Sequence, residues 1–293
     1  LDPLLFLQLL LWATVSGSLY VLLATGLTLI FGILKIVNFA QGEFMIAGAL
    51  LSLVLGRALG LNPYASLPLS ALLVGLMGLA AYRLAFRAIL GTTKLNEILV
   101  SIALILIIQN AIASYFVPTF REAVQLSSPF AGEGISLMGG LTLTYDLILV
   151  IVTSWLTLAA LYTWLYRSRT GLSLRALSQN QVGAMLCGIN VGALGGASFF
   201  VGVALAGLAG TLYGIITPFD PHSGTLLAVK AFAIIILTGL GNVGGAAIGG
   251  LLLALAENFV SATLGPAWKD AAAFILLTIV LAARPTGLLG ERV

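Results

Sequence analysis

Charge is what this 293-residue chain has least of. Only 8% of its residues are Asp, Glu, Lys or Arg, against about a quarter in an ordinary soluble domain. So little polar surface cannot cover a globule in water. With 60% hydrophobic residues and a mean hydropathy of +1.13, the bilayer is the matching solvent. The lone cysteine, Cys187, excludes an internal disulfide. The lone histidine, His222, cannot supply two zinc ligands, and no H-E-x-x-H or G-x-S-x-G motif occurs. A P-loop ends in Gly-Lys-Ser/Thr. Lys35, Lys94, Lys230 and Lys269 are instead followed by Ile, Leu, Ala and Asp, so ATP hydrolysis, if used, belongs to another chain. The net charge of +3 is no nucleic-acid footprint.

What is present is a series of apolar runs. A crossing helix needs roughly 20 apolar residues. Such runs cover 4–33, 38–56, 66–86, 97–117, 145–166, 192–216 and 268–283, with a longer stretch at 226–262. The expected class is an all-α polytopic membrane protein of about eight helices, with broken or re-entrant segments, in one domain spanning 1–293. The first run reads as a span rather than a secretory signal, because no basic segment precedes it. It is long enough to tilt, or to break near Ser16-Gly17-Ser18. Arg83, Arg87 and Lys94 share one connection, Arg167, Arg169 and Arg175 another, and Arg284 and Arg292 the tail. Placing these inside, with Lys35, puts the N-terminus and Asp2 outside and the C-terminus in the cytoplasm. The loop of Arg121, Glu122 and Glu133 and the segment "TPFDPHSG" (217–224) then lie outside. Reaching an inner C-terminus from that segment takes an odd number of crossings. The expected solution is a re-entrant or broken pair at 226–262 that dips in and returns, leaving 268–283 as the single net crossing; a long tilted helix with three crossings in total is the alternative.

Two places break the apolar pattern. "GILKIVNFAQGEFMIAGA" sets Asn38, Gln41 and Glu43 close together after Lys35. Asn38 reads as a helix cap after a break at 32–37. Gln41 either faces a pathway or bonds a neighbouring helix. Glu43, like Glu257, needs a partner or water at depth. The second place is "TGLGNVGG" (238–245), which formally matches G-x-G-x-x-G but lacks the strand that a dinucleotide site requires. Its glycines either allow close helix packing or break a helix near mid-membrane, with Gly239, Gly241 and Asn242 at the break. Lys230 starts its run close to the outer face, within snorkelling reach.

The longest polar stretch expected inside is 166–196. From Leu172 to Cys187 it can form one short helix, ended by Gly188 and Asn190. Leu174, Leu177, Ala184, Leu186 and Cys187 would give its apolar face. Such a helix lies at the membrane surface or docks a partner.

The sequence "TGLSLRALSQNQVGAMLCGIN" (170–190) resembles the cytoplasmic coupling segment of permease subunits in branched-chain amino acid ABC importers, the LivH-like family. Residues 23–49, 230–257 and 283–290 resemble that family's N-terminal, Gly-rich and tail signatures. The resemblance covers nearly the whole chain. It implies a type II-like permease fold in the bacterial inner membrane, working with a second homologous permease subunit, two cytoplasmic ATPase subunits and an extracytoplasmic solute-binding protein. It implies no cofactor on this chain, with ATP and Mg on the ATPase subunits. Arg175, Ala176, Asn180, Ala184, Gly188 and Asn190, within a coupling segment at 167–190, match the family's coupling motif. Asn38, Gly42 and Glu43 match its N-terminal motif. Two departures stand out: many members carry His where Gln41 stands, and acids where Gln181, Val182 and Gly183 stand. The expected substrates are branched-chain or other neutral amino acids. Urea and short amides are the runner-up, and an autonomous channel or secondary transporter is the alternative of a different class.

Overall fold

The computed structural model describes residues 3–120, 122–136, 142–239, 241–284 and 287–289. Asp2, Arg121 and Arg292 lie outside the described residues. Among the described residues the regular structure is helical apart from one two-stranded hairpin and an isolated bridge. The order is α1 (Pro3–Leu34), α2 (Gln41–Leu59), α3 (Pro63–Ala81) continuing through a π turn (Tyr82–Phe86) into α4 (Arg87–Ile89), and α5 (Lys94–Thr119). Next come β1 (Gly134–Ser136), β2 (Thr142–Thr144), α6 (Tyr145–Arg167), α7 (Arg169–Gln179), α8 (Gln181–Leu186) and α9 (Val191–Ile216). The chain closes with α10 (Ser223–Thr238), α11 (Val243–Leu264) and α12 (Lys269–Ala283). Eight helices among the described residues are long and apolar enough to cross a membrane. The protein is thus an all-α polytopic membrane protein.

Asparagine punctuates the helices. Asn62, Asn180, Asn190 and Asn242 are each an N-cap whose side chain accepts from the amide three residues on. This satisfies an amide that the first helical turn leaves orphaned. The first run does not break at Ser16-Gly17-Ser18. Both hydroxyls bond the carbonyls four residues back, which keeps them satisfied within the helix. Gly17 sits against Leu251 of α11. The 32 residues of α1 rise about 48 Å, more than the roughly 30 Å hydrocarbon core.

The core is built on α9, packed against α1, α2 and α3. Glycine permits this. A Cβ on Gly210 would run into the Met45 carbonyl, and one on Gly26 into that of Gly202. Small residues let helix backbones touch where lipid supplies no hydrophobic drive. By contrast α5, α6 and α12 leave large apolar side chains such as Ile107, Leu156 and Ile279 exposed.

Lys35, Lys94 and the clustered arginines gather at one end, whereas Arg57, Lys230 and Lys269 lie towards the other. Lys94 donates to the Lys35 carbonyl, and Leu288 and Leu289, beyond Arg284, bond the carbonyls of Leu237 and Thr238. Gly241 lies against Gly32 of α1. The far end holds the Val124–Phe219 bridge and the carboxylate of Asp146, which accepts from Tyr64 and Ser128. Stretch 226–262 is therefore a hairpin of two helices whose turn reaches the end of the bundle, so the expected re-entrant pair does not form, and α10, α11 and α12 run as three passes, the alternative route. The turn at Gly239–Asn242 stands level with the end of α1 rather than at mid-membrane. The sixteen residues of α10 rise only about 24 Å, so its other end starts below full span.

Candidate functional site

The polar groups of the first break sit deep. Past Leu34, Lys35 adopts φ 57°, and the chain runs without helix to Ala40. It climbs beside the first turns of α5: the carbonyl of Lys35 accepts from Lys94 Nζ at 2.8 Å, and that of Val37 from Ser101 Oγ at 2.9 Å. Non-helical backbone at membrane depth survives only where protein satisfies it, and α5 does so. Gln41, the first residue of α2, donates through Nε2 to the Gly202 carbonyl at 2.9 Å, beside Gly26. Gly26 lies eight residues before the end of α1, so α2 begins about 12 Å inside that end.

Asn38 is not the cap expected of it. Its Oδ1 accepts from the Ala40 amide, two residues on, and its Nδ2 donates to Gln41 Oε1 at 3.2 Å. The N-cap of α2 is Ala40, without a side-chain bond. Asn38 closes a turn because the helix restarts three residues later than the sequence suggests. Of the two roles open to Gln41, the bond to a neighbouring helix is the one observed.

Glu43 finds its partner on α10. Its Oε1 accepts from Thr225 Oγ1 at 2.9 Å, and Gly224 packs on the carboxylate. Gly42 touches the Gly224 carbonyl so closely that a Cβ there has no room. Glu43 stands in the first turn of α2 and Thr225 in that of α10. Two helix N-termini, each carrying about half a positive charge, therefore converge on one buried carboxylate. Its Oε2 has no partner among the described residues.

Gly239 and Gly241 both have positive φ, 97° and 90°, which an L side chain resists. Asn242 caps α11 through Gly245 at 2.9 Å. Gly245 and Gly249 pack against Thr238 and Ile234. The glycines thus both break the helix and pack it. The two breaks do not form one cluster: Gly239, Gly241 and Asn242 stand at the basic end, whereas Gln41 and Glu43 lie deep between α9 and α10.

The coupling segment is an elbow rather than one helix from Leu172 to Cys187. Asn180 (φ −150°, ψ 103°) ends α7 and caps α8 through Gly183 at 2.8 Å. Gly188, at φ 80°, follows α8, and Asn190 caps α9 through Ala193 at 3.0 Å. Leu174, Leu177 and Ala184 are buried as expected, but Leu186 is 85% exposed and Cys187 is exposed too. The bend at Asn180 turns α8 away from the membrane helices, leaving Val182, Met185 and Leu186 as an apolar ridge. Ala176, on α7, is partly buried. Arg175 lies 4.5 Å over the Tyr166 ring, a cation–π contact. Its Nε has no hydrogen-bond partner among the described residues.

One polar centre escaped the sequence reading. Lys230 does not snorkel. It is buried, with Nζ 2.8 Å from Asp270 Oδ1 and 2.9 Å from Glu257 Oε1. The second contact is Coulombic rather than an aligned hydrogen bond. Tyr20 donates to Glu257 Oε2 at 2.7 Å and accepts from Lys230 at 3.3 Å. Four helices, α1, α10, α11 and α12, meet at this ion network. Three ionisable residues, two in the 226–262 run and one at the start of the next, are its only sequence signal, and pairing them requires the fold.

A family model described as the permease component of branched-chain amino acid transport systems matches residues 9–281. The chain is 33% identical to the high-affinity branched-chain amino acid transport system permease protein BraD of Pseudomonas aeruginosa, over 98% of this chain and 96% of that protein. It is 32% identical to the permease protein LivH of Escherichia coli K12, again over 98% and 96%. It is 31% identical to a probable LivH of Methanocaldococcus jannaschii, over 95% and 90%. No solved structure matches significantly.

Proposed function

The chain belongs to the branched-chain amino acid transport permease family, and from that premise we propose that it is the membrane permease of an ATP-driven ABC importer for branched-chain or other neutral amino acids. It works in the bacterial inner membrane with its N-terminus outside and its C-terminus in the cytoplasm. A second homologous permease, two ATPase subunits and an extracytoplasmic binding protein complete the assembly.

The observation that carries this reading is the α7–α8 elbow. It stands at the end where the basic residues gather, which is the cytoplasmic end by the positive-inside rule. It offers Val182, Met185 and Leu186 to water, an apolar ridge that suits a partner better than solvent. The chain has no P-loop of its own. A partner ATPase docked on the elbow would supply the energy, and Arg175, Ala176, Asn180, Ala184, Gly188 and Asn190 would transmit its motion to α6 and α9. Asn38, Gln41, Glu43, Gly239, Gly241 and Asn242 are our candidates for elements that shift as access alternates. They hold the two breaks that a moving helix would pivot about.

Reconstitution tests the proposal. The chain alone in liposomes should take up no leucine; with permease partner, ATPases and binding protein, ATP should drive uptake. Uptake by the chain alone would refute it. ATP-driven uptake of urea with no response to leucine would replace the substrate and keep the rest.

A further inference from the structure

A cavity of about 410 Å³ lies towards the end away from the arginine clusters, within this single chain, between α1, α9, α10, α11 and α12. Its size falls in the small-molecule range. The Lys230 network forms part of its wall. We infer that this cavity is a receiving site for a zwitterionic amino acid with an apolar side chain.

The wall carries both kinds of chemistry. Trp12 and Leu19 of α1 and Leu226 of α10 are apolar. Asp220, Lys269 and Asp270 line the same cavity. Asp270 is 52% exposed at its side chain, yet its Oδ1 is held by the buried Lys230. The carboxylate is therefore pre-oriented while still reachable. Lys230 is held between the carboxylates of Glu257 and Asp270 and donates to Tyr20, so its charge is already matched and it positions Asp270 rather than binding. Lys269, half-buried beside Asp270, is the cation left to face a ligand.

Counting the wall and the network behind it, Asp220, Glu257 and Asp270 outnumber Lys230 and Lys269 by one. The cavity thus favours a ligand that brings an ammonium group. A zwitterion places that ammonium on Asp270, its carboxylate on Lys269, and its aliphatic side chain against Leu19, Leu226 and Trp12. Preorganised charges in a partly desolvated wall are the arrangement that binds without a large ordering cost. A neutral amide such as urea uses neither charge.

This inference rests on the amino-acid reading of the function. The test is equilibrium binding of radiolabelled leucine to the purified permease assembly, without binding protein, in nanodiscs. Leucine should bind saturably, and isocaproate, which lacks the ammonium, should not compete. Asp270→Asn should raise the Kd at least tenfold. Leu226→Trp, which fills the cavity from an already exposed position, should abolish binding, and it serves as the second probe if Asp270→Asn folds poorly. Equal affinity in Asp270→Asn, or effective competition by isocaproate, would overturn the inference. ATP-driven leucine uptake by the complete wild-type assembly, measured in parallel, separates the two claims. Uptake without binding at this cavity refutes the inference alone, whereas absence of uptake refutes the function on which it rests.

Discussion

Lys230 of α10 and Glu257 of α11 face each other at 2.9 Å in the interior of the helix bundle, both buried. Breaking a buried pair by removing one partner leaves an uncompensated charge. Lys230→Met should therefore destabilise the protein by about 3–5 kcal/mol. Adding Glu257→Gln should recover much of that loss. Thermal unfolding in detergent reads both. A double variant no more stable than the single one would show that the charge pair is not what holds α10 to α11.

Gly42 admits no side chain, because the Gly224 carbonyl occupies the space. Overpacking of this kind costs about 1–3 kcal/mol, and Gly42→Ala should lower the melting temperature accordingly. Gly244 meets only Asn242 Oδ1 at 3.5 Å. Gly244→Ala should stay within about 0.5 kcal/mol of the parent. Equal effects would mean that the α2–α10 approach is looser than described.

Asn180 holds the elbow by capping α8. Asn180→Ala should remove about 1 kcal/mol of helix stability. Hydrogen exchange resolves this as faster exchange over 181–186 with the membrane helices unchanged.

Leu186 contributes to no buried contact that would explain its place, being 85% exposed. Leu186→Asp should leave membrane insertion and melting temperature unaltered while reducing co-purification of the ATPase subunits. Normal recovery of those subunits would move the docking surface elsewhere.

Arg175 rests on Tyr166 of α6 and so connects the elbow to a membrane helix. Arg175→Glu should cut transport-coupled ATP hydrolysis several-fold in the reconstituted assembly, with the chain still inserted. Tyr166→Phe keeps the ring and should retain most of the coupling, since a cation–π contact needs the aromatic face rather than the hydroxyl.

The composition, the spacing of apolar runs and the placement of arginines determined the membrane class and the seven shorter spans to within a few residues, but not the division of 226–262 or of 172–187 into two helices. These are local or additive properties: a span needs only its own apolar length, and a cap only its own amide three residues on. Asn242 was legible for that reason, whereas Asn190, which the sequence offers as the end of one helix, caps the next. The tertiary structure alone decided where the polar groups of different runs meet. No basic residue lies closer to Glu43 in the chain than Lys35, eight positions before it, and nothing near it in sequence names Thr225. Lys230 looks like a snorkelling residue until α11 and α12 bring Glu257 and Asp270 to it. The level of the Gly239–Asn242 turn, the depth at which α2 restarts and the bend at Asn180 likewise depend on neighbouring helices. A buried charge or an unwound backbone in lipid is tolerable only when another part of the chain satisfies it, and that partner is chosen by packing, not by proximity along the sequence.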